Sequence, residues 1–71
     1  MTDTDKPQGT HFWSVSFAKG GDSTFFNGTC TPPPGATRLD MFNDIVDTII
    51  KEYPRVSGAA VLAFDIQPNQ L

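Results

Sequence analysis

His11 and Cys30 are the one histidine and the one cysteine of the chain. An imidazole beside a thiol is a pairing that nucleophilic catalysis uses, with the imidazole drawing off the thiol proton. Such a pair also needs a third group to orient the imidazole, and no residue near either position offers one. A solitary cysteine more commonly packs as a small hydrophobe. One histidine and one cysteine also fall short of the four ligands of a structural zinc site. Asp40, Asp44 and Asp47 form the second constellation. At spacings of four and three they share one face of a helix, where carboxylates could attract a cation. Calcium takes about 6–8 oxygens, usually gathered by a loop, and helical spacing does not converge them. The three are read as a solvated acidic stripe, with Asp47 and Lys51 an i,i+4 ion pair, that a basic partner surface could meet. No catalytic residue, cofactor or metal is expected.

Three shorter motifs carry less. Gly20-Gly21 lacks the lysine and the following helix of a phosphate-binding loop. Asn27-Gly28-Thr29 matches a glycosylation sequon, but without a secretory signal the match is read as chance. Phe12 and Phe25 could stack nucleobases as an RNA-binding sheet does. The glycine-aromatic pattern and flanking basic residues of such sheets are missing, so packing against protein is the preferred reading.

The elements that must position these residues are legible from periodicity. "HFWSVSFA", residues 11–18, alternates as a strand does, with His11, Trp13, Val15 and Phe17 on one side. "KGGD" reads as a hairpin turn, and "STFFNGTCT", residues 23–31, as the returning strand, with Phe26 and Cys30 turned inward. Gly28 inside that strand suggests a bulge or the close approach of another segment. "PPPG" then ends the strand. Its prolines cannot donate to a ladder, and the lack of a repeated P-x-x-P pattern argues for a stiff connector over a recognition segment. Phe42, Ile45, Val46, Ile49, Ile50 and Tyr53, joined by Leu39, form the apolar face of an amphipathic helix. Thr37 is its expected N-cap, Asp40 completes a capping box, and Pro54 stops it at about Tyr53. "AAVLAFDI", residues 59–66, is the third strand, with Ala60, Leu62, Phe64 and Ile66 expected inward and Ala59, Val61, Ala63 and Asp65 outward.

The order β-β-α-β defines a small α+β domain, a three-stranded sheet with one helix on one face. The first strand has the bulkiest inward face, which favours spatial order 2-1-3, with 1-2-3 as the alternative. Residues 1–10 read as a flexible tail, 11–67 as the single domain and 68–71 as a C-terminal tail. The uncovered sheet face would then carry Phe12, Ser14, Ser16, Phe25, Asn27, Thr29, Val61 and Ala63.

Composition sets the limits. The chain has 71 residues, 38% of them hydrophobic, with a net charge of −3. That suffices for one ordered domain, in which ordering and burial nearly cancel unless packing is good or a partner completes the core. Five scattered basic residues disfavour a nucleic-acid surface. The lone cysteine fits a reducing cytoplasm, no run suggests a membrane span, and no signal peptide is expected.

The run "GTCTPPPGATRLDMFNDI", continued by "VLAFDIQPNQL", resembles small proteins of actinobacteria and their phages that carry no assigned activity. The shared features are a Gly-Thr-x-Thr-Pro-Pro-Pro-Gly-x-Thr-Arg connector, an amphipathic helix and an apolar strand ending in Pro-Asn. The resemblance covers residues 28–71 and implies a genomic setting but no chemistry. The expectation is a non-enzymatic protein-interaction module, in which Phe12, Phe25, Asn27 and Val61 of the free face, or the acidic Asp40, Asp44 and Asp47, meet a protein or a second copy. A nucleic-acid-linked regulator of phage or plasmid type and a small enzyme using His11 and Cys30 are the alternatives.

Overall fold

Gly20 and Gly21 take φ values of 60° and 86°, which lets a two-residue turn of the primed type reverse the chain with the twist its strands prefer. The computed structural model describes residues 8–71. Around that turn β1 (His11–Lys19) and β2 (Asp22–Cys30) pair antiparallel in unbroken register, from Lys19 opposite Asp22 to His11 opposite Cys30. After α1 (Arg38–Glu52) and a 3-10 turn at Pro54–Val56, β3 (Ala60–Pro68) pairs antiparallel with the other side of β1. The sheet order is β2-β1-β3, the arrangement favoured from the bulk of β1.

The connector between β2 and α1 is a tight turn. Ala36 donates its backbone N–H to the Pro33 carbonyl at 3.1 Å, and Gly35, at φ 83°, follows Pro34 as the third residue of a type II turn requires. Thr37 then caps the helix. Its Oγ1 accepts from the Asp40 N–H at 3.1 Å, and Asp40 Oδ2 accepts from the Thr37 N–H at 3.0 Å. Replacing Thr37 by alanine should lower stability by about 0.5–2 kcal/mol, read as a shift in the urea midpoint without a change in slope.

Val15 and Phe17, 1% and 2% exposed, form the centre of the core. Met41, Ile45 and Ile49 of α1 lie on them, and Val56 of the 3-10 turn closes one end. Neither Met41 nor Val56 was expected there. Leu39, expected on the buried face, is exposed. It sits one turn before Phe42, where α1 has only just begun.

The inward face of β3 is corrected by a β-bulge. Ser16 stands opposite Ala63, but Phe17 stands opposite Val61, so Leu62 has no partner and is 62% exposed. A bulge shifts the alternation by one. Phe64 and Ile66 face the helix as expected, but beyond Leu62 the inward positions pass to Ala59, packed on the core, and Val61. Val61 therefore leaves the free face, and Ala60 and Leu62 leave the core.

The first seven residues of the expected tail lie outside the described residues. Gly9 and Thr10 donate backbone N–H groups to Thr29 and Thr31 hydroxyls. Asn69 donates its N–H to the Thr10 carbonyl at 2.8 Å and its Nδ2 to Gln8 Oε1 and the Gly9 carbonyl. Hydrogen bonds thus join residues 8–10 to β2 and to Asn69.

Candidate functional site

The face of the sheet away from α1 is laid out by register. Thr29, Phe12 and Gln67 form one row, then Asn27, Ser14 and Asp65, then Phe25, Ser16 and Ala63. Side chains directly opposite one another share a face, so Phe12 and Phe25 stand two rows apart with small polar residues between them. They are 42% and 60% exposed, and Asn27 is exposed beside Ser14.

On the other face, α1 divides the space between the sheet edges unequally. Met41, Ile45 and Ile49 run down its centre. On the β3 side the next row is apolar, and Phe42 packs edge-on to Phe64 with centroids 5.1 Å apart. On the β2 side the row is Asp44, Thr48 and Glu52, too short or too polar to fill the corresponding space. What remains is a groove of about 350 Å³ floored by Trp13, Phe26, Cys30, Ile45, Ile49 and Tyr53, with Asp44, Thr48 and Glu52 along its helical wall. Gly28 makes room for the Trp13 indole. A Cβ there would lie 2.9 Å from Cζ2 of the ring. The glycine expected to mark a bulge or a close approach marks the approach of a side chain, since β1 and β2 pair without a bulge.

The fold keeps the candidate catalytic pair on one face of the sheet and gives the members of the acidic stripe separate roles. His11 and Cys30 are register partners, but Cys30 lines this groove while His11 lines a separate hollow with Pro32, Pro33 and Met41. His11 Nδ1 is 2.8 Å from Thr10 Oγ1. Burial pushes the Cys30 thiol pKa up, and the nearby Asp44 carboxylate adds to the shift. Both effects disfavour the thiolate that a nucleophile needs. Asp40 is committed to the helix cap, Asp47 pairs with Lys51 at 3.2 Å, and Asp44 lines both the groove and a hollow beside residues 33–36. Among the described residues no three histidine, cysteine, aspartate or glutamate side chains gather as metal ligands would, and no helix is long and apolar enough to cross a membrane.

The two sheet edges differ as well. The β3 edge carries the bulge at Leu62, ends at Pro68, and is approached by Arg38, whose Nη2 lies 3.5 Å from the Phe64 carbonyl and 3.7 Å from Asp65 Oδ1. Bulges, prolines and charged side chains are the usual guards of an edge. The β2 edge has nine residues without a proline, lysine, arginine or bulge. The groove was not anticipated from sequence. The signal that could have found it is the contrast along α1 between Asp44, Thr48, Glu52 and Phe42, Val46, Ile50. No protein-family model, no curated protein and no solved structure matches the chain.

Proposed function

We propose that this protein is a small, non-enzymatic, cytoplasmic interaction module that associates with a second copy of itself through the open face of its sheet. The observation that carries this reading is the exposure of Phe12 and Phe25 on a face that α1 leaves uncovered. Large aromatic side chains above a floor of Ser14, Ser16 and Ala18 give a surface that loses little by leaving water. The association is weak. Three strands spaced ~4.8 Å apart and nine residues long at ~3.4 Å each present only ~440 Å², about half of what one partner contributes to a standard interface.

The nucleic-acid reading is less well supported. Lys19 donates to the carbonyls of Arg55 and Ser57, Arg38 lies against Asp65, and Lys51 pairs with Asp47, so these three exposed cations have partners on separate parts of the surface and form no common basic patch. The enzyme reading is weakened by the raised Cys30 thiol pKa, although His11 and Cys30 face each other across the β1–β2 pair.

Light scattering of the chain at high micromolar concentration should give an average mass above the monomer. The Phe12→Ser, Phe25→Ser double variant should return the monomer mass with its fold intact. A monomer in both cases would refute the self-association.

A further inference from the structure

The groove beside β2 lies on the opposite side of the sheet from Phe12 and Phe25, and its chemistry is of a different kind. We infer that this groove and the free β2 edge together receive an extended basic peptide segment, which adds to the sheet as a fourth strand and sets two cationic side chains against Asp44 and Glu52. The inference goes beyond self-association and stands whether or not the outer face dimerises.

Three observations converge on it. The first is the asymmetry of the edges. Strand addition needs a row of unpaired backbone N–H and C=O groups. Among the described residues no strand pairs along the outer side of β2, which is unbulged and is met at its Cys30 end by Gly9, while the β3 edge is bulged and approached by Arg38. The second is charge complementarity. The residues lining the groove include two carboxylates, Asp44 and Glu52, and no basic side chain. The rings of Trp13 and Phe26 on its floor also favour cations over anions, because aromatic faces carry negative potential; the Tyr53 ring is already met by the Arg55 guanidinium, 5.5 Å from its centroid.

The third is spacing. Phe26 lies against Tyr53 with centroids 5.1 Å apart, and Cys30, at the other end of the strand, lines the groove with Asp44, whose charge reaches the thiol. Along the groove β2 and α1 therefore run in opposite directions. Asp44 and Glu52 are eight residues apart on the helix, or ~12 Å at ~1.5 Å per residue. On a strand, residues i and i+4 lie on one face ~13.6 Å apart. A strand added at β2 would thus present side chains i and i+4 to the two carboxylates. Its residue i+2 would fall over Thr48 and the apolar floor. The expected recognition pattern is Lys/Arg-x-Φ-x-Lys/Arg, where Φ is apolar. The pattern is the same read in either direction, so it does not depend on strand polarity.

The protein carries its own reporters. Trp13 is the one tryptophan and Cys30 the one cysteine, and both line the groove. The probe is an end-blocked synthetic nonapeptide of threonines with lysine at i and i+4 and valine at i+2. Controls place glutamate at the lysine positions, set the two lysines side by side, or use n-butylammonium alone. Titrations follow Trp13 emission, alkylation of Cys30 and backbone amide shifts. They use the full chain and the Phe12→Ser, Phe25→Ser variant, so that failure of self-association and failure of the groove are read separately. The expected result is a saturable change with the lysine peptide in both proteins, slowed Cys30 alkylation and amide shifts along residues 22–30. Affinity should fall about tenfold in an Asp44→Lys, Glu52→Lys variant whose circular dichroism matches the parent. Absence of saturable binding, equal binding of the glutamate peptide, equal binding with adjacent lysines, equal binding of n-butylammonium, or shifts confined to the outer face would each overturn the inference.

Discussion

Replacing Phe17 by alanine should sharply lower the urea midpoint at room temperature or abolish the cooperative transition altogether. The side chain is 2% exposed and meets Phe26 edge-on at 5.8 Å between centroids. It sits where the sheet, α1 and the 3-10 turn converge. Removing a buried phenylalanine ring costs about 3–5 kcal/mol, because lost burial and the residual cavity act together. A domain of this size holds ~3–9 kcal/mol in total, at ~0.05–0.15 kcal/mol per residue, so one substitution removes from about a third to all of it. Phe25→Ala is the control. Phe25 is one position from Phe26 on the same strand but is exposed on the outer face, and its loss should change stability by about 0.5 kcal/mol or less. Denaturation followed by Trp13 emission and circular dichroism distinguishes them. A loss below about 1 kcal/mol for Phe17→Ala would contradict the assigned core.

A valine at Gly28 should destabilise the protein and shift Trp13 emission to the red. Valine favours strands, and that preference alone would stabilise by less than about 1 kcal/mol. Against it stands the indole, 2.9 Å from the added Cβ at Cζ2 and 3.2 Å at Cε2. Overpacking of this kind costs about 1–3 kcal/mol, so the steric effect wins. The ring can relieve the clash only by leaving β2, which exposes it to water and deforms the groove floor. The expected net loss is about 1–2 kcal/mol. Unchanged stability with unchanged emission would show that the indole does not rest on Gly28.

The parts of this fold that sequence made legible are those where pattern and punctuation agree. Two glycines between alternating runs define the hairpin. Thr37 and Asp40 define the helix start, and Pro54 its end. The bulk of Trp13, Val15 and Phe17 places β1 in the middle. The third strand was legible only in part, because residues 59–64 are apolar at nearly every position. An unbroken apolar run does not reveal the phase of its alternation, so the bulge at Leu62 and the inward turn of Val61 had no local signature. The groove was hidden for another reason. Asp44, Thr48 and Glu52 form a plain polar row on a helical projection. The row becomes a wall only once the helix is laid over the sheet with that side toward β2. Asp40, Asp44 and Asp47 looked equivalent from their spacing, but a cap, a place in the groove wall and an ion pair give them three different roles.

The central claim is that the open sheet face is where the molecule meets its own copy. A concentration series of backbone amide spectra, from about 10 µM to about 1 mM, spans the weak affinities expected of so small a face. The account predicts that shifts moving with concentration cluster at Phe12, Ser14, Ser16, Phe25 and Asn27 and vanish in the Phe12→Ser, Phe25→Ser variant. Spectra independent of concentration, or shifts that gather on α1 instead, would contradict it.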